Sequence, residues 1–113
     1  MENLRIKRTR NAALADYTGE MTLEVTRELR ETIDAVMTDD DVQCLIFDLS
    51  GVSFIDSSGI GFLVSLASRV ENEAKSFYLY RPDAQVVRTL ELVQLKKYFK
   101  ILGTEEELAP LML

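Results

Sequence analysis

An α/β domain with a mixed, mostly parallel sheet is what this sequence predicts, and three observations carry the prediction. The run Cys44-Leu45-Ile46-Phe47-Asp48-Leu49 is apolar almost without interruption, as a strand buried on both faces of a parallel sheet must be. Helical repeats flank it on both sides, so strands and helices alternate along the chain. The first residues instead alternate apolar and charged side chains, which predicts a hairpin at the start of the sheet. The expected order is β-β-α-β-α-β-α-β-α, with right-handed crossovers and about four helices.

Each element has its own local reason. Leu4 and Ile6 alternate with Arg5 and Lys7, the period of a half-buried strand, and Arg10-Asn11 offers a turn into a second strand from Ala12 to Tyr17. Gly19-Glu20-Met21-Thr22 leads to a helix that Thr22 can cap, with Val25, Leu29, Ile33 and Val36 along one face. That helix should stop near Thr38, leaving Asp39-Asp40-Asp41 as a loop before the central strand, Gln43 to Asp48. Ser50-Gly51 turns the chain, and Val52 to Ile55 brings it to a second helix from about Ser58 to Glu71. Apolar residues cover most of that helix, so it should be the most deeply packed. Phe77 to Tyr80 reads as a short strand. Pro82 and Asp83 start a third helix with Val86, Leu90 and Val93 on one face. Tyr98 to Leu102 is the last strand expected, and Thr104 with Glu107 forms a capping box for a final helix limited by Pro110.

Size and composition narrow the function. The 113 residues suit one domain, residues 1–113, and 47% hydrophobic with 28% charged residues is an ordinary globular balance. A net charge of −6 argues against nucleic acid, which needs a basic footprint. Arg5, Lys7, Arg8 and Arg10 form a local basic cluster that reads as a solvated face or a blunted edge strand. The lone Cys44 excludes an internal disulfide and suits a reducing compartment. No stretch approaches the ~18 to 20 apolar residues of a membrane span and no signal peptide opens the chain, so the expected location is cytoplasmic. The chain has no histidine, so it supplies no Ser-His-Asp or Cys-His set, and no zinc site is expected. Asp39-Asp40-Asp41 lacks the spacing of a calcium loop, and Gly59-Ile60-Gly61 has Val64 where a dinucleotide fingerprint needs its third glycine. No cofactor is expected.

What remains is the stretch Phe54-Ile55-Asp56-Ser57-Ser58-Gly59-Ile60-Gly61 between strand and helix. Asp56 and Ser57 both suit the position before a helix, where a side-chain oxygen accepts from first-turn N–H groups. On local physics alone this is a capped turn. The same N–H groups and the helix dipole also favour a negative charge, so a phosphorylated hydroxyl is compatible with the fold. Gly59 and Gly61 each cost roughly 1 kcal/mol of helicity against alanine. The benefit expected is clearance for another backbone or a partner.

The segment Asp48-Leu49-Ser50-Gly51-Val52-Ser53-Phe54-Ile55-Asp56-Ser57-Ser58-Gly59-Ile60-Gly61 resembles the signature of the STAS domains, the bacterial anti-sigma-factor antagonists, and the element order resembles that family along nearly the whole chain. The resemblance implies phosphorylation at Ser57 by an ATP-dependent anti-sigma serine kinase, which the unmodified domain sequesters. A PP2C-type phosphatase would reset the cycle. This chain is then a substrate and binding module, not an enzyme. By proximity the partner surface should include Asp56, Ser58, Gly59 and Phe62, with Met21 and Thr22 as a second contact; Phe62 fits core packing equally well. Three departures from the family lie outside the motif: Thr22 where an Asp is frequent, Glu73-Ala74-Lys75 in place of a glycine-rich turn, and Val93-Gln94-Leu95 where a Gly-Leu pair is frequent. They bear on which partner is recognised. Two other readings use the same fold: an accessory subunit of a transporter such as a lipid-transport ATPase, and a regulatory domain binding a small anion or nucleotide at the helix N-terminus.

Overall fold

The alternation at the start of the chain forms a hairpin in the computed structural model, which describes residues 1–113. β1 (Leu4–Arg8) and β2 (Ala12–Tyr17) pair antiparallel, in the register Leu4↔Tyr17 to Arg8↔Ala13. Thr9 closes their connection. Its N–H donates to the Ala12 carbonyl at 3.0 Å, and its hydroxyl accepts from the Ala12 N–H at 3.1 Å. This side-chain bond secures a turn that has no glycine. A short strand, β3 (Gly19–Met21), then leads to α1 (Leu23–Met37).

β4 (Cys44–Asp48) takes the centre of a five-stranded sheet ordered β1-β2-β4, then β6 (Ser76–Tyr80) and β7 (Ile101–Leu102). Its pairings with β2 and β6 are both parallel, as is β6 with β7, so the hairpin alone makes the sheet mixed. Between β4 and β6 come β5 (Val52–Ile55) and α2 (Ser57–Asn72). The chain continues through α3 (Ala84–Leu92) and a 3-10 turn at Lys96–Tyr98, and ends in α4 (Glu105–Leu108) and a second 3-10 turn at Ala109–Met112. Leu45 and Phe47 face a main core that α1, α2 and α3 fill with Leu29, Ile33, Leu63, Leu66 and Leu90. Ile46 faces the other way, into a smaller cluster with Leu14 and Tyr80 that Leu108, Leu111 and Met112 cover. The apolar run of β4 is therefore explained by burial on two faces.

Cys44 stands at the start of that strand, half-buried, and desolvation pushes its thiol from 9.0 up to about 11, with Lys100 pulling weakly the other way. Its folded pKa is raised, so its contribution to stability is full below pH 9 and is lost as pH rises through about 11. At pH 8, iodoacetamide should leave Cys44 unmodified in the native protein and alkylate it readily in urea, which mass spectrometry reads directly.

The structure corrects four expectations. β3 and β5 form a separate two-stranded parallel sheet that the sequence did not signal. β5 buries only its end residues, Val52 and Ile55, and β3 begins at Gly19 beside a register shift, so neither shows a period of two. The second helix begins at Ser57, with Asp56 alone as its cap. Val93 lies beyond α3 and is exposed. The final strand shrinks to Ile101–Leu102, because Lys96–Tyr98 coils into a 3-10 turn that directs Phe99 into the core.

Two helix ends place a non-glycine residue in the left-handed backbone region. At the end of α2, the Lys75 N–H donates to the Val70 carbonyl and the Ala74 N–H to Glu71. At the end of α3, Leu95 and Gln94 bond to Leu90 and Glu91 in the same way. Both are Schellman motifs, whose pivot residue adopts a left-handed backbone and is usually glycine. Here Ala74 stands at φ 62° and Gln94 at φ 60°. Ala74→Gly and Gln94→Gly should therefore each raise stability by about 0.5–1 kcal/mol, seen as a higher urea midpoint.

Candidate functional site

The small sheet of β3 and β5 sets the geometry of the site. β3 runs into α1 and β5 into α2, and their pairing at Met21↔Ile55 brings the two helix N-termini side by side. The Asp56 N–H donates to the Met21 carbonyl at 3.4 Å and continues the link past the strands. Asp56 caps α2: its carboxylate accepts from the Gly59 N–H at 2.9 Å. Thr22 occupies the corresponding position before α1, but its hydroxyl makes no capping bond.

Ser57 is the first residue of α2 and is exposed. Its N–H and that of Ser58 fall in the first turn, where no intrahelical acceptor exists. Ser58, Thr22 and Asp56 are half-buried beside it. Along the helix, Ser57 borders a shallow groove with Ile60, Gly61, Val64, Leu95 and Tyr98. A Cβ built on Gly61 would meet nothing within 4 Å, so the fold itself does not require glycine there. Its expected clearance opens outward, onto the groove. The two ion pairs of the structure, Arg8–Asp39 and Arg69–Asp34, involve none of these residues, and Asp56 is the one charged residue between Phe54 and Gly61.

The three other residues expected at a partner surface are buried. Met21 is completely inaccessible, and its carbonyl is committed to Asp56. Gly59 is packed so closely on β3 and β5 that an added Cβ would come within 2.6 Å of both the Met21 oxygen and Ile55 Cγ1. Phe62 is 2% exposed, edge-on to Phe47 at 6.3 Å and covered by the Arg30 guanidinium at 5.4 Å. Arg30 reaches on to the Ser65 hydroxyl at 3.2 Å, which ties α1 to α2. These three residues support the surface from beneath instead of presenting it. Near the paired helix starts, the exposure of Leu23 at the start of α1 and of Phe54 on β5 was not anticipated from the sequence. The signal available for Phe54 was an aromatic residue breaking the alternation of a strand.

Asp39, the first of the acidic run, is already used. Its carboxylate accepts from the Asp41 N–H at 2.9 Å and from Arg8 at 3.0 Å, and these contacts hold its pKa below the ordinary 3.8.

Fold and site together define a class: a five-stranded α/β module with three helices on one face, carrying an exposed serine at a capped helix N-terminus. The chain belongs to the STAS domain family, whose profile matches residues 3–108. It is similar to an anti-sigma F factor antagonist of Lysinibacillus sphaericus, 29% identical over 75 residues, which are 66% of this chain and 64% of that protein. The match thus spans somewhat under two thirds of the relative's length. Among solved structures, a putative anti-sigma factor antagonist of Thermotoga maritima superposes with a TM-score of 0.85 at 22% identity, covering 96% of this chain and 93% of the other. The anti-sigma factor antagonist SpoIIAA in its unphosphorylated form gives 0.79 at 21% identity, over 96% and 95%. The phosphorylated form of the Bacillus protein gives 0.74 at 20%, over 96% and 98%. At such identities these likenesses establish the fold.

Proposed function

We propose that this domain is an anti-sigma-factor antagonist whose binding to an ATP-dependent anti-sigma serine kinase is switched by phosphorylation of Ser57. The observation that carries the proposal is the position of Ser57: exposed, first in α2, and directly after the capping Asp56. A kinase can reach the hydroxyl without unfolding anything, and the product phosphate lies where helix N–H groups accommodate negative charge. The similarity to SpoIIAA, a protein with unphosphorylated and phosphorylated forms, supports the same reading.

The partner surface comprises Thr22, Asp56, Ser57 and Ser58, with the Gly61 face of α2 and the exposed Leu23 and Phe54 at its border. Met21, Gly59 and Phe62 hold that surface in shape. The unmodified domain sequesters the kinase, phosphorylation releases it, and a PP2C-type phosphatase restores binding. The domain acts in the cytoplasm as a substrate and carries out no catalysis itself.

The test is to incubate the purified protein with anti-sigma-type serine kinases of the same organism and ATP, and map phosphate by mass spectrometry. One phosphate on Ser57, absent from Ser57→Ala, is the expected result. No phosphate with any such kinase, alongside stable association with a transporter ATPase, would replace this proposal with the accessory-subunit reading.

A further inference from the structure

The free edge of β1 carries a second surface that shares no residue with the Ser57 site. β1 and β7 bound the sheet, but β7 is only two residues long and runs almost directly into α4. β1 offers five residues. In an antiparallel pair, alternate residues direct both backbone groups toward the neighbouring strand. The Asn3 carbonyl accepts from the Thr18 N–H just past β2, and the Thr9 N–H donates to the Ala12 carbonyl, which places Arg5 and Lys7 in the inward phase and turns the N–H and C=O groups of Leu4, Ile6 and Arg8 outward. These outward groups have no strand to pair with.

The side chains specify what could pair there. Leu4 and Ile6 lie half-buried against the rim of the main core, on one face of the edge. Arg5 and Lys7 are exposed on the opposite face and belong to neither ion pair of the structure. The acidic neighbours of Arg5 on this side include Asp16, in register with it on β2, and Glu2. With Lys7 and Arg10 added, the edge remains basic on a chain of net charge −6. A second copy pairing through β1 would set these cations against one another, which is unfavourable for directly opposed strand residues. An acidic strand meets the reverse situation.

We propose that the β1 edge docks an extended partner segment that alternates apolar and acidic residues. Its backbone completes the bonds of Leu4, Ile6 and Arg8, its apolar residues cover Leu4 and Ile6, and its carboxylates lie beside Arg5 and Lys7. The charges that keep two copies of this chain apart select such a segment.

A short synthetic peptide alternating glutamate and valine tests the proposal with the full chain. The expected result is saturable binding, new hydrogen-exchange protection of the Leu4, Ile6 and Arg8 amides, and weakening by salt. The double variant Arg5→Glu, Lys7→Glu changes only exposed side chains, and its fold can be checked by circular dichroism. It should bind the glutamate peptide at least about tenfold more weakly and should bind a lysine–valine peptide instead. Absence of binding to the glutamate peptide would overturn the proposal. So would binding that a scrambled peptide of the same composition reproduces, or binding that leaves those three amides unprotected.

Discussion

Gly59→Ala is expected to destabilise the domain by about 2–3 kcal/mol, because no space exists for one more carbon at that position. The added Cβ would stand 2.6 Å from the Met21 oxygen, 2.6 Å from Ile55 Cγ1 and 3.1 Å from Met21 Cγ. The Met21 oxygen belongs to the backbone of β3 and accepts from the Asp56 N–H, so it cannot withdraw without opening the link between the two helix starts. Ile55 and Met21 are buried and have little room to turn. Gly61, two residues on, provides the internal control. Its Cβ would enter open space, so Gly61→Ala should stabilise the fold by up to ~1 kcal/mol through helix propensity alone. Urea denaturation of the two variants should shift the midpoint in opposite directions. A cost below about 0.5 kcal/mol for Gly59→Ala would mean that the first turn of α2 does not need its close approach to β3.

This pair of glycines shows where sequence reading succeeds and where it stops. Both glycines promised clearance, but one clears a backbone inside the protein and the other faces outward. That difference depends on β3, an element with no periodic signal of its own. Elements that bury a continuous stripe or run were legible: β4 as the central strand, α2 as the deeply packed helix, and the capping box in which the Thr104 hydroxyl accepts from the Glu107 N–H at 3.2 Å. The capped turn before α2 was legible as well, because a capping residue between strand and helix is a local pattern, although Asp56 and Ser57 fitted the cap equally and the structure gives it to Asp56. Its neighbours were harder to judge. Gly59 and Phe62 were selected by proximity to Ser57 in the chain, and Met21 and Thr22 as a second contact before the first helix, whereas exposure follows from how β3 and β5 pair and how Arg30 lies over Phe62. Leu95 and Tyr98 border the same groove from nearly forty positions away, a relation no local pattern contains.

A phosphate on Ser57 should weaken binding to the kinase by about 100-fold or more while leaving the thermal stability of the domain nearly unchanged. The phosphate brings roughly −1.5 to −2 charge at pH 7 to a point beside Asp56, and neither ion pair of the structure contributes a cation there. Facing like charges across an interface cost several kcal/mol, and about 2.7 kcal/mol already corresponds to 100-fold. Within the domain the balance is different. The Asp56 carboxylate is turned to the Gly59 N–H, which leaves the first-turn donors of Ser57 and Ser58 to the phosphate. A helix N-terminus stabilises such a charge by about 0.3–1 kcal/mol, which offsets repulsion from Asp56 across the solvent-exposed surface. Ser57→Asp carries less charge and should weaken binding only about tenfold. Ser57→Ala should bind like the unmodified domain and fail to release. Titration calorimetry with the kinase and thermal unfolding of the four forms separate affinity from stability. If the phosphorylated domain instead lost about 2 kcal/mol of stability or more, release would proceed through opening of the α2 start and its contact with β3.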